Sequence, residues 1–198
     1  MSKIKIENIT VKCADQSELA ATLYIPEKPK AAIMIAPATG IKRQFYNSFA
    51  TFLAEHGFGV ITYDNQGIAE SANGGAKNSK ATLVTWGQID MSAVFARLKA
   101  EFPNTDYHLV GHSAGGQLVG LMEGAMEITS IFNFACSSGS LRNMKMPFWL
   151  TANFFMSVFI PLNNLIFGYS NSQWVGMGEP LPKKVAQQWA DWCNSTGY

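Results

Sequence analysis

Charge is scarce in this chain. Only 15% of its 198 residues are Asp, Glu, Lys or Arg, and the formal net charge is +1, against about 25% charged residues in an average soluble domain. A balance this even argues against a nucleic-acid binder, which normally shows a basic stripe. Cysteine is scarce too. Cys13, Cys136 and Cys193 are odd in number and far apart, which gives neither a CxxC zinc signature nor a disulfide framework. They read as reduced thiols of a cytoplasmic protein, with no metal site and no cofactor. Residues 1–6 lack the apolar core of a signal peptide. Histidine occurs only at His56, His108 and His112, so none follows position 112.

What is present is apolar: 47% of residues are hydrophobic, enough for one sizeable core in a chain of this length. Ile4, Ile6, Ile9 and Val11 alternate with polar residues, with one slip, as in an edge strand. A second strand, Leu19 to Ile25, is closed by Pro26 and Pro29. The continuous run from Ala31 to Ala36 suits a strand buried on both faces. Phe45, Phe49, Phe52 and Leu53 mark one face of a helix that stops at His56-Gly57. Gly59 to Tyr63 is a strand, followed by a polar, Gly-rich loop from Asp64 to Lys80. Trp86, Ile89, Val94 and Leu98 define another helix, ending near Pro103. Tyr107 to Val110 and Ser130 to Ala135 complete a β-β-β-α-β-α-β-α-β order, which predicts a mostly parallel sheet with helices on both faces.

Between the last two strands stands Gly111-His112-Ser113-Ala114-Gly115-Gly116, with the pattern from Gln117 to Met122 read as the opening of a helix. Chance alone gives roughly 0.1 G-x-S-x-G matches in a chain of this composition, so the pattern needs its context. That context is strand, tight turn, helix: the nucleophile elbow of α/β-hydrolases. The turn strains the backbone at Ser113 and leaves no room for side chains at Gly111 or Gly115.

Further motifs carry the resemblance. Asp64-Asn65-Gln66-Gly67-Ile68-Ala69-Glu70-Ser71 resembles the D-x-R-G-x-G-x-S loop after the fourth strand of many α/β-hydrolases, with Gln66 for the usual arginine and Ala69 for the second glycine. Ala36-Pro37-Ala38-Thr39-Gly40 stands where many members carry His-Gly. With Phe45-Tyr46 and the Pro182…Val185…Trp189…Trp192-Cys193 segment, it is similar to a branch of predicted bacterial serine hydrolases. The resemblance spans essentially the whole chain. It implies an α/β-hydrolase-like fold with a core over residues 1–141, a C-terminal helical cap over 142–198, and the family's last two strands missing. The stretch from Phe148 to Phe167 approaches the ~20 residues of a membrane span, but Asn153, Pro161, Asn163 and Asn164 interrupt it. A helical cap over an apolar pocket accounts for it better.

The resemblance also implies chemistry. Ser113 would attack an acyl ester, thioester or amide carbonyl and form an acyl-enzyme. Backbone N–H groups of Ala114 and of Gly40 or Thr39 would hold the oxyanion. The family's chain order is Ser, Asp or Glu, then His. Here no histidine follows Ser113, and the later acids are only Glu123, Glu127, Glu179 and Asp191. Neither catalytic acid nor base is assigned. The expectation is a serine hydrolase for a small acyl substrate, inactive or impaired as this chain. The alternative is a non-catalytic binding protein on the same fold, whose exposed sheet edge favours self-association.

Overall fold

The computed structural model describes residues 3–195; residues 196–198, the last of the expected cap, lie outside them. Six strands form one sheet: β1 (Ile4–Lys12), β2 (Glu18–Pro26), β3 (Ala31–Ala36), β4 (Phe58–Tyr63), β5 (Tyr107–His112) and β6 (Ser130–Phe134). Their spatial order is β1-β2-β4-β3-β5-β6. The β1/β2 and β2/β4 pairs are antiparallel and the rest parallel. Parallel strands need crossovers, and helices provide them.

β3 lies mid-sheet and all six of its residues are buried. Its alternation divides the core. Ala32, Met34 and Ala36 face one cluster with Trp86, Phe95 and Leu98. Ile33 and Ile35 face a second with Tyr46, Ala50 and Ala54. Helix α1 (Asn47–Glu55) covers the second face. The first is covered by α2, a continuous helix over residues 83–101 with a π turn at Trp86–Met91. Thr82 opens α2 with a reciprocal capping box to Thr85, satisfying N-terminal donors.

After β5 comes the short α3 (Ala114–Gln117). The C-terminal part holds α4 (Phe148–Ile166), the small antiparallel pair β7 (Tyr169–Ser170) and β8 (Leu181–Pro182), and α5 (Lys183–Asn194). Phe155, Ile160, Val185 and Ala190 are buried in the same cluster as Trp86 and Met34.

Three local expectations are corrected. Of the stripe expected on α1, Phe45, in the turn before it, and Phe49 and Phe52 point outward, with Phe45 65% exposed, while Leu53 is half-buried against the second cluster. Tyr46, Ala50 and Ala54 face the sheet instead, because small alanines let a helix approach closely. The slip in β1 makes no bulge; the register with β2 is unbroken and Ile6 is simply left exposed. The helix read from Gln117 to Met122 lasts only through Gln117 and passes into a 3₁₀ turn at Val119–Leu121, where Gly115, Gly116 and Gly120 supply little helix propensity.

Candidate active site

Ser113 occupies the turn between β5 and α3 with φ 50° and ψ −115°. Positive φ is rare for a residue with a Cβ and costs of order 1–3 kcal/mol unless its surroundings enforce it. Those surroundings are visible. The Ser113 N–H donates to the Phe134 carbonyl at 3.0 Å, and its own carbonyl accepts from Gly116 and Gln117 at 3.1 Å. The Cys136 thiol donates to the same carbonyl at 3.2 Å. A Cβ at Gly115 would run into the Ala36 carbonyl, and one at Gly111 would meet Asn133 and the Gly116 backbone. The glycines therefore let α3 lie directly on the ends of β3 and β6. Among the described residues no side chain hydrogen-bonds the Ser113 hydroxyl.

The register pairs Ala36 of β3 with Gly111 of β5, so the loop that follows β3 emerges beside Ser113. In that loop Gly40 has φ 73°, and the Ile41 N–H closes a turn onto Ala38 at 3.1 Å. No carbonyl among the described residues accepts from the N–H of Thr39, Gly40 or Ala114. Residues 177–181 lie over the loop: Glu179 N–H donates to the Gly40 carbonyl at 2.7 Å, and a Cβ on Gly40 would sit 3.1 Å from Leu181. Gly40 is buried there, while Thr39 is half-buried.

Loop and turn are tied together by a residue that the sequence offers only as part of a motif. The Tyr46 hydroxyl accepts from the Ala38 N–H at 3.0 Å and lies 2.9 Å from His112 Nδ1. Which of the two donates depends on the imidazole tautomer. Burial pushes the Tyr46 phenol up to about 12, so it stays neutral. The His112 ring stacks on Phe134 at 4.4 Å and faces Phe45 at 6.1 Å; burial lowers its pKa. His112 braces the turn. The other histidines are engaged elsewhere: His108 Nδ1 with Ser130 Oγ at 2.8 Å, and His56 Nδ1 with the Phe52 carbonyl at 2.7 Å.

The later acids are not gathered at Ser113 by any hydrogen bond. Glu127 pairs with Lys99, Glu179 with Lys42, and Asp191 accepts from Gln187. The Asp64 loop engages two buried carboxylates instead, its own Asp64 and Asp90 of α2. Asp64 is fully buried and accepts from the backbone and guanidinium of Arg43; Arg43 also reaches Glu70 at 2.8 Å. Gln66, at the usual arginine position, donates its N–H and its side-chain amide to buried Asp90 at 2.8 and 2.7 Å. One arginine among aromatic neighbours gave no sequence signal for the Arg43–Asp64 pair. Among the described residues no cluster of three or more metal-ligating side chains occurs.

An apolar cavity of about 370 Å³ opens between α3 and α5, lined by Gln117, Leu118, Leu121, Ser137, Ser138 and Trp192. A larger one, about 580 Å³, lies at the opposite end of the sheet, around Lys30, Pro103 and Asp106, away from Ser113.

Solved structures share this architecture at low identity, which establishes the fold alone. A hypothetical protein from Pseudomonas aeruginosa superposes with a TM-score of 0.65 and 14% identity, over 96% of this chain and 72% of that one. A thermostable carboxyl esterase from Bacillus coagulans gives 0.58 and 16%, over 88% of this chain. An esterase from Pyrococcus furiosus gives 0.59 and 16%, over 76% of this chain and 59% of that one. The chain spans 56% of the length of the Bacillus esterase. No curated protein matches the sequence significantly. A family model described as serine aminopeptidase, S33 (Hydrolase_4), matches residues 27–174; the chain belongs to this family of α/β-hydrolases.

Proposed function

We propose that the chain carries the nucleophile and oxyanion loop of a serine hydrolase acting on a small acyl ester or thioester. The observation that carries this reading is the strained backbone of Ser113, held between β5 and α3 with its hydroxyl unengaged, beside a loop with unpaired N–H groups. Ser113 Oγ attacks the acyl carbon, and the carbonyl π electrons move onto oxygen. The N–H groups of Ala114 and of Thr39 or Gly40 stabilise that oxyanion. Its collapse expels the alcohol or thiol and leaves an acyl-serine, which water then hydrolyses. The apolar cavity beside α3 supports an apolar acyl group.

The attack needs a base to take the serine proton, and no imidazole among the described residues hydrogen-bonds Ser113. The 198-residue chain is therefore proposed to have little esterase activity. Oxyanion stabilisation and binding alone leave on the order of 10³–10⁴ over water in enzymes stripped of their triad. A fluorophosphonate probe and p-nitrophenyl ester hydrolysis test both statements. Labelling of wild type but not of Ser113→Ala supports the nucleophile, and equal labelling of both rejects it. Fast hydrolysis that collapses in Ser113→Ala shows a base to be present; collapse in a folded His112→Ala variant as well identifies His112.

A second reading has its own observation. β6 is an edge strand on which Ile131 is 46% and Phe132 64% exposed, and such an edge pairs readily with another chain. A non-catalytic protein using that edge would associate in light scattering; a clean monomer counts against it.

A further inference from the structure

The outward face of α4 is built unlike a water-facing surface. Asn163 and Asn164 are buried, where they bond the Phe159 carbonyl, the Lys183 carbonyl and Ser170. Leu150, Phe154, Val158, Leu162 and Leu165 point outward, with Phe154 59% and Leu165 80% exposed. Their spacing of four, four, four and three residues draws one stripe, about 22 Å long at 1.5 Å per residue. No Asp, Glu, Lys or Arg occurs anywhere from Met146 to Gly178.

The charges resume at both borders, and apart from Glu179 they are basic. Arg142 and Lys145 precede α4, and Lys183 and Lys184 follow β8; all four are exposed, and among the described residues none forms an ion pair. Lys77 lies against Gly168 at the C-terminal end of α4. The one acid from 142 to 184 is Glu179, which is paired with Lys42. A positive border around an apolar face, in a chain of net charge +1, complements a surface that is apolar within and anionic at its rim.

We propose that this face is a peripheral docking site for an anionic lipid surface. α4 lies parallel to the bilayer, with the stripe of Leu150, Phe154, Val158, Leu162 and Leu165 at the headgroup–acyl boundary and the basic border on anionic headgroups. The helix does not span. Its other face, through Phe155, Met156 and Ile160, is part of the protein core and cannot be given to lipid without unfolding the C-terminal part. The proposal is independent of Ser113.

The test is flotation of the full chain with vesicles of phosphatidylcholine containing phosphatidylglycerol, and with vesicles of phosphatidylcholine alone. The expected result is binding to the anionic vesicles, little to the neutral ones, and release by alkaline carbonate. Phe154→Glu with Leu162→Glu is expected to weaken binding about tenfold or more. These side chains are exposed, and circular dichroism checks the fold. Arg142→Glu with Lys145→Glu, which leaves the stripe intact, is expected to weaken it as well. The proposal is overturned by absent or lipid-indifferent flotation, by undiminished binding in both double variants, or by resistance to carbonate, which would mean a span. It is also overturned if the chain self-associates without vesicles and the Phe154/Leu162 variant dissolves that assembly, since the occupant is then a second copy.

Discussion

Replacing Asp90 by asparagine is expected to stabilise the protein above neutral pH and to change it little in acid. Asp90 sits in the π turn of α2, is fully buried, and among the described residues accepts only from Gln66, which is neutral. Burial pushes its carboxyl from 3.8 up to about 7, against the pull of the Gln66 hydrogen bonds. Between those values the folded chain holds a proton that the unfolded chain has released. The native state then binds more protons, so stability falls as pH rises through the window. At about 1.36 kcal/mol per pH unit, some three units cost the wild type about 4 kcal/mol by pH 8. The introduced asparagine keeps an oxygen for the Gln66 N–H, and its amide needs the Gln66 side chain to turn. That gives up the 3.2 Å contact to exposed Asp15 and costs about 1 kcal/mol. The net expectation is a variant more stable by about 3 kcal/mol at pH 8 and slightly less stable near pH 4. Urea unfolding of both proteins at pH 4, 5, 6, 7 and 8 measures the difference, and subtracting the two curves removes every titrating group except those coupled to Asp90 or Gln66, such as Asp15. A difference that stays flat across this range, or a variant less stable at pH 8, refutes the reasoning.

Four further substitutions follow from the geometry of the Ser113 turn. Ser113→Gly removes the Cβ from a position at φ 50° and should raise stability by about 1 kcal/mol, while Ser113→Ala leaves it near wild type; thermal melts separate the two. Tyr46→Phe leaves buried Ala38 N–H and His112 Nδ1 without their shared partner, and should cost about 1–3 kcal/mol in urea unfolding. Gly115→Ala drives a Cβ into the Ala36 carbonyl; it should destabilise by more than the roughly 1–3 kcal/mol of ordinary overpacking, seen as a lowered melting temperature or loss of soluble protein.

Patterns confined to neighbouring residues were legible without coordinates. The unbroken apolar run of β3 has one physical meaning, burial on both faces, and all six residues are buried. The run from Tyr107 through Gly116 could be placed on a strand and a tight turn, because each glycine answers a local steric demand. Choices between equally apolar alternatives were not legible. α1 and the turn before it carry two stripes at helical spacing, Phe45-Phe49-Phe52 and Tyr46-Ala50-Ala54, and periodicity cannot rank them. The narrow space over β2 and β4 selected the alanines and turned the phenylalanines out. Partnerships across long separations were equally silent. Arg43 took the charge of Asp64, and Gln66 was left with Asp90, because sheet order brings those loops together. The sequence by itself determined the six strands of the main sheet, the turn at Ser113 and the absence of a histidine after position 112, since these depend on local sterics and composition. Tertiary structure alone decided that His112 braces Tyr46 and that α4 faces outward with its apolar side, because each depends on which surfaces packing had already filled.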